Sequence, residues 1–92
     1  MSEPEVPITN YTVRRAVEQL RGYYIDVEIE RVRPKEGKPG VYVVTGRYRK
    51  TGIFGIMTLE RGRFSLEFDV SMGKPRLTNA DIEVEEEGDV VG

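Results

Sequence analysis

The sequence contains no cysteine and no histidine. The lack of cysteine excludes disulfide bonds, thiolate catalysis and cysteine-based zinc sites. The lack of histidine excludes Ser–His and Cys–His catalytic pairs and the commonest transition-metal ligand. Paired carboxylates such as Glu67 and Asp69 could do acid–base work or hold a hard cation. Outward acids on an amphipathic strand, however, usually face solvent. Because cysteine and histidine are also lacking, we expect a protein that is not an enzyme and binds no cofactor or metal.

Long apolar runs are also absent. No stretch approaches the roughly 20 residues that cross a bilayer, and residues 1–7 lack the apolar centre of a secretory signal. We therefore expect a cytoplasmic protein without membrane contact. Charged residues make up 33% of the chain, in both signs, with a net charge of −2 and no tryptophan. This composition is typical of a solvated globular surface and resembles that of thermophile proteins rich in ion pairs.

A chain of 92 residues is long enough for one domain with a thin core. The sequence divides into a flexible arm over residues 1–9, a domain over 10–84 and an acidic, flexible tail over 85–92. Residues 83–92 carry five acids and no base, which favours a solvated tail. An alternative is that this acidic segment folds back on Arg47 or Arg61 and blocks them.

One amphipathic helix is predicted over residues 10–21. Apolar residues recur there at i, i+3, i+4 and i+7, which places them on one helix face: Val13, Ala16, Val17 and Leu20. Asn10 or Thr12 is expected to be the N-cap, because either side chain can accept from an orphan backbone N–H. Gly22 suits the left-handed conformation that ends a helix.

After the helix the apolar period changes from 3.6 to 2, which predicts strands. The expected strands cover about 25–30, 41–49, 53–60, 63–70 and, more weakly, 77–84. Arg61-Gly62 is expected to be a two-residue hairpin turn between the third and fourth strands. Val32 is out of phase with its strand and predicts a bulge or a strand end. Gly46 predicts a bulge or a close backbone approach.

Short connections between successive strands favour an antiparallel meander. The predicted fold is α+β, with one N-terminal helix packed on a four- to five-stranded antiparallel meander sheet. The helix is expected to cover the apolar residues of two strands: Ile25, Val27, Ile29, Phe64, Leu66 and Phe68. The alternative is a small β-barrel with an N-terminal helix, because strands joined by glycine-rich turns can also close.

The order of elements resembles a known family. A helix, a strand and a loop are followed by Tyr42-Val43-Val44-Thr45-Gly46, and a later strand runs from Phe64 to Val70 and ends in Ser71-Met72-Gly73-Lys74. Over residues 10–82 this pattern resembles the small cystatin-like domains of the PepSY type. The resemblance implies an interaction or inhibitory module rather than an enzyme, and it assigns no functional residue.

The predicted third strand is apolar on both faces, which exceeds what one buried face needs. Excess apolar surface commonly marks an interface. We expect Phe54, Ile56 and Met57 to anchor a protein–protein contact, with Tyr42 and Tyr48 as flanking aromatics. The predicted function is that of a non-enzymatic interaction module, as a homo-oligomer or as an accessory subunit.

The alternative function is binding of single-stranded nucleic acid. Arg47 and Arg49 on one predicted strand, with Arg61 and Arg63 near the next, could contact phosphates, and tyrosines could stack on bases. Strand alternation, however, sends Arg47 and Arg49 to one face of the sheet and Tyr48 to the other.

Overall fold

A computed structural model describes residues 7–52 and 57–87. The elements, in chain order, are α1 (Asn10–Arg21), β1 (Ile25–Pro34), β2 (Val41–Thr51), β3 (Thr58–Asp69) and β4 (Arg76–Glu87). The four strands form one antiparallel sheet in the order β1-β2-β3-β4, with α1 packed on one face. The predicted α+β class is confirmed. The sheet is open across the described strands, so the barrel alternative is wrong.

The helix has the predicted bounds but a different N-cap. Thr9 has an extended backbone, and its side-chain oxygen accepts from the Thr12 N–H at 3.2 Å. The expectation of Asn10 or Thr12 as N-cap is wrong because Thr12 is the donor of this bond. At the other end Gly22 has a φ of 101°, and its N–H donates to the Glu18 carbonyl at 2.8 Å. In the described part of the chain no helix is long and apolar enough to cross a membrane.

The core lies between α1 and the sheet. Its buried members come from the helix and from three strands: Val13, Ala16, Val17, Ile25, Val44, Tyr48, Phe64, Leu66 and Phe68. Leu20, expected on the same helix face, is instead 44% exposed. In this last turn the side chain that reaches the sheet is Arg21, which bonds Glu60.

β1 contains the predicted irregularity. Its register against β2 shifts between Ile29 and Arg31, so Glu30 is an extra residue in the strand. Beyond the bulge Val32 pairs with Val44 on the helix face, and Arg31 pairs with Thr45 on the opposite face. We call that opposite face, which α1 does not cover, the open face.

β3 differs most from the strands that the sequence predicts. The expected turn at Arg61-Gly62 is wrong, because β3 is continuous and Gly62 pairs with Tyr48. A Cβ atom at position 62 would lie 2.7 Å from Tyr48 Cε1 and against the Glu83 carbonyl. Glycine is therefore needed here to admit the tyrosine ring. The β2–β3 connection falls later, where the Gly52 N–H donates to the Met57 carbonyl at 3.0 Å.

A second glycine position was predicted correctly. A Cβ atom at Gly46 would lie 2.7 Å from Phe64 Cζ and against the Glu28 carbonyl. The close backbone approach expected at this position is therefore confirmed.

The acidic segment is partly ordered into the sheet. β4 extends to Glu87, and Glu86 pairs in register with Arg61. The expectation of a flexible tail is wrong for residues 85–87, because main-chain pairing to β3 holds them. The rest of that expected tail, 88–92, and most of the expected arm, 1–6, lie outside the described residues.

Candidate functional site

The open face carries four arginines in a block at the centre of the sheet. Arg47 on β2 lies directly opposite Arg63 on β3, and Arg49 lies opposite Arg61. Paired residues share a face, so the structure brings together the four basic residues singled out in the sequence. We call them the arginine block. Like charges in direct cross-strand pairs repel one another, and nearby acids offset that repulsion.

Carboxylates from the two outer strands flank the arginine block. Each arginine has an ion-pair partner: Arg47–Glu30 at 3.2 Å, Arg49–Asp26 at 3.6 Å, Arg61–Glu86 at 3.7 Å and Arg63–Glu85 at 3.3 Å. In addition, Glu28 pairs in register with Arg47, and Glu83 with Arg63. Six carboxylates therefore surround four guanidinium groups, and the exposed pairs contribute roughly 0.2–1 kcal/mol each.

A shallow groove of about 610 Å³ runs over this region. Asp26 and Glu28 line it on the β1 side, and Glu85 and Glu86 line it on the β4 side. Acids on both sides disfavour a polyanion as ligand, because its phosphates would approach them. No aromatic side chain lies on the open face of the described strands, so stacking of bases has no platform there.

A buried ionic cluster lies on the helix side of the sheet. Glu60 accepts two bonds from Arg21, both at 2.7 Å, and one from the Tyr48 hydroxyl at 2.6 Å. Lys50 Nζ donates to the Arg21 carbonyl at 2.7 Å, which satisfies a free carbonyl at the helix end. We call these four residues the Glu60 cluster. It joins the end of α1 to β2 and β3.

Tyr48 is therefore a core residue. Only 3% of it is exposed, so the prediction that it flanks an interface is wrong. Strand alternation turns it to the helix face, and Gly62 makes room for its ring. The Arg21 bonds lower the pKa of Glu60, and burial raises the pKa of Tyr48. The cluster thus holds an ionised carboxylate and a neutral phenol, and both serve to fix the helix on the sheet.

The paired carboxylates of β3 also have local partners. Lys35 Nζ donates to Glu67 at 2.7 Å, and Asp69 accepts from the Ser71 N–H at 2.9 Å and from its hydroxyl at 2.7 Å. These bonds lower the pKa of both acids. Between residues 7 and 52 and between 57 and 87, no group of three or more acids is placed to hold a metal ion.

Five large apolar residues lie in the segments that meet at the end of the sheet where α1 ends. Each is at least 36% exposed: Leu20, Tyr23, Tyr24, Met57 and Leu59. The backbone holds these segments together, because Thr51 donates its N–H to the Tyr24 carbonyl at 2.9 Å and pairs with Thr58. We call these five residues the apolar end.

The turn before β1 is strained. Tyr24 has a φ of 66°, the left-handed region that non-glycine residues rarely adopt. Bonds from the backbone and side chain of Thr51 to its carbonyl hold it there. Strain that the surroundings maintain is common at functional sites. Here it accompanies two consecutive tyrosines, Tyr23 and Tyr24, that are both exposed.

The described residues of the expected interface lie at different ends of the sheet. Met57 belongs to the apolar end, whereas Phe54 and Ile56 lie outside the described residues. Tyr42 pairs with Pro34 and Phe68 at the other end of β2. Tyr42 is nine residues from Thr51, where β2 ends beside the apolar end, a distance of about 30 Å along the strand. The structure therefore does not bring Tyr42 and Met57 together.

Sequence reasoning missed most of the apolar end. The available signal was Tyr23-Tyr24 directly after the helix, because neighbouring side chains on an extended segment point to opposite sides and cannot both enter one core. The apolar pattern places Leu20 on the buried helix face, and Leu59 in the predicted third strand, which is apolar on both faces.

Comparison with protein-family models, with curated proteins and with solved structures finds no match to this chain. The resemblance to cystatin-like domains of the PepSY type stays a prediction.

Proposed function

We propose that this chain is a non-enzymatic protein–protein interaction domain that associates with a second copy of itself through the apolar end. The observation that carries the proposal is that five large apolar side chains, in the end of α1, the turn before β1 and around the start of β3, are each at least 36% exposed at one end of the sheet. Exposed apolar residues that are concentrated in one region mark interaction sites in folded proteins, whereas scattered single ones do not.

The composition of the apolar end suits an interface. Tyrosine buries a large apolar ring while its hydroxyl stays hydrated at the rim, and methionine adapts to irregular surfaces. The support beneath is rigid, since the Glu60 cluster fixes the end of α1 and Thr51 holds Tyr24. A contact surface that is already ordered loses little conformational entropy on binding.

A second copy is a suitable partner for this surface. A two-fold contact places the same patch on both sides, so an uncharged patch meets no charge repulsion from its copy. All five members of the apolar end are uncharged. A domain of 92 residues has a thin core, and association would add buried apolar area.

The test is a matched pair of methionine substitutions. Met57→Glu puts a charge in the apolar end, and Met72→Glu puts the same charge on an exposed methionine at the opposite end of the sheet. Native mass spectrometry and light scattering would give the stoichiometry of each protein against the 10.5 kDa chain. We expect Met57→Glu to lower the stoichiometry and Met72→Glu to match the parent. Equal stoichiometry for all three proteins would contradict the proposal.

A further inference from the structure

β1 is an edge strand whose charges are separated along its length. Its first half carries Asp26, Glu28 and Glu30, and its second half carries Arg31 and Arg33. Glu28, Arg31 and Arg33 are exposed and form no ion pair within 4 Å with any residue of 7–52 or 57–87. The β1 edge of the sheet therefore carries two basic residues and one acidic residue that have no ion-pair partner among the described residues.

We propose that β1 pairs antiparallel with β1 of a second copy about a two-fold axis close to the bulge. In this register Asp26 lies opposite Arg33 of the partner subunit, and Glu28 lies opposite Arg31 of the partner subunit. The symmetry makes each pair twice, so the contact holds four acid–base pairs. All of the unpaired charges of this edge then have a partner.

The bulge makes this register geometrically possible. Two residues that face each other across an antiparallel pair must lie on the same face of the sheet. In a regular strand residues 28 and 31 would lie on opposite faces, because their numbers differ by three. The extra residue Glu30 reverses the alternation, so that Glu28 and Arg31 both lie on the open face, opposite Arg47 and Thr45. Bulges usually protect an edge from pairing, but this one brings acids and bases into register.

The helix face of the same register is apolar. Val27 lies opposite Val32 of the partner subunit, and Val32 is one of the exposed large apolar residues. The Val27 carbonyl accepts from Asn10 Nδ2 at 3.3 Å, a long bond to an exposed side chain that a partner N–H can replace. Pro34 has no N–H and ends the strand just beyond Arg33, which limits slippage to longer registers.

The other edge of the sheet does not offer the same complementarity. β4 carries Glu83, Glu85 and Glu86 in its second half. Antiparallel pairing of β1 with β4 of another copy would place the acidic first half of β1 against this acidic segment. Like charges in cross-strand pairs are destabilising. These charges therefore favour the β1–β1 contact over a β1–β4 contact. A β1–β1 contact joins two copies and leaves no β1 edge free, whereas β1–β4 contacts would join many copies into a chain.

The β1 contact uses a surface different from the apolar end and does not rest on the proposed function. The experiment is therefore done in a Met57→Glu background, where contact through the apolar end is weakened. An acidic variant carries Arg31→Glu and Arg33→Glu, and a basic variant carries Asp26→Arg and Glu28→Arg. A matched control carries Lys74→Glu and Arg76→Glu, which change the net charge by the same amount as the acidic variant at exposed sites away from β1.

With both contacts intact the parent chain assembles beyond a dimer. The expected result is a dimer for the Met57→Glu protein and for the control, and a monomer for each β1 variant alone. Mixing the acidic and basic variants should restore a dimer that holds one copy of each, because every acid then faces a base. Dimerisation should weaken by about tenfold or more between 0.1 M and 1 M salt, where the Debye length falls from about 10 Å to about 3 Å. Circular dichroism would confirm that each variant is folded.

Two results would overturn the inference. One is an unchanged dimer in both β1 variants. The other is a mixture of folded acidic and basic variants that stays monomeric in native mass spectrometry. If one double variant fails to fold, the single changes Arg31→Glu and Glu28→Arg give the same comparison. Loss of association in Met57→Glu alone, with no heterodimer in the mixture, would support the apolar end and reject the β1 contact.

Discussion

Replacing Glu60 with glutamine tests whether the Glu60 cluster holds the helix on the sheet. Glu60 is 6% exposed and accepts three short bonds, two from Arg21 and one from Tyr48. Glutamine keeps the shape of the side chain but has one oxygen and an NH₂ group. One donor would therefore face another donor, and the guanidinium group would lose its counter-charge.

The expected loss of stability follows from these contacts. A hydrogen bond to a charged group contributes about 1.5–3 kcal/mol, and breaking a fully buried pair costs about 3–5 kcal/mol. The Arg21 side chain is 34% exposed, so water compensates for part of the loss. We expect Glu60→Gln to lower the free energy of unfolding by about 2 kcal/mol. For a domain of this length that corresponds to a fall in Tm of roughly 8–16 °C.

Urea and thermal unfolding followed by circular dichroism would measure the change. The matched control is Glu86→Gln, which removes an exposed ion pair of 3.7 Å with Arg61 and should cost less than about 0.5 kcal/mol. The lowered pKa of Glu60 adds a pH test. Its stabilisation is present above about pH 4.3 and is lost as the pH falls further, so Glu60→Gln should flatten part of that acid loss. If both variants unfold within 0.5 kcal/mol of the parent, the reasoning is wrong.

Further substitutions test the glycine, the tyrosine and the helix cap. Gly62→Ala should cost about 1–3 kcal/mol in chemical unfolding, because its Cβ would meet the Tyr48 ring, whereas Gly52→Ala, which has no atom within 4 Å, should be nearly neutral. Burial raises the pKa of Tyr48, so the unfolded chain loses the phenol proton first and the free energy of unfolding should fall above about pH 10. Tyr48→Phe should flatten this alkaline loss, and an alkaline profile equal to that of the parent would contradict the role given to the Tyr48 hydroxyl. Thr9→Ala should cost about 1 kcal/mol in urea unfolding, and no change would argue against Thr9 as the N-cap.

Much of the fold could be predicted from the sequence because local patterns set it. The apolar period of 3.6 gave the helix its bounds, and the period of two gave the strands and their meander. The errors arose where tertiary contacts override a local signal. Arg61-Gly62 has turn chemistry, but the glycine lies in mid-strand, where it makes room for Tyr48 of the neighbouring strand β2.

The candidate site was less predictable for the same physical reason. The four arginines were singled out in the sequence, but their shared face and their carboxylate neighbours on β1 and β4 depend on strand order and register. Tyr48 looked like a surface aromatic because tyrosine is common at interfaces. Its burial depends on Glu60 and Arg21, which are 12 and 27 residues away in the chain.

The strand order also bears on how the chain folds. Each strand pairs with its neighbour in sequence, so every hairpin closes a short loop, and low contact order favours rapid folding. The Arg21–Glu60 bond joins residues 39 positions apart and can form only after these hairpins are in place. Glu60 variants should therefore speed unfolding more than they slow folding. The Glu60 cluster would then set the lifetime of the native state, through the rate of unfolding, and would have little effect on the rate of folding.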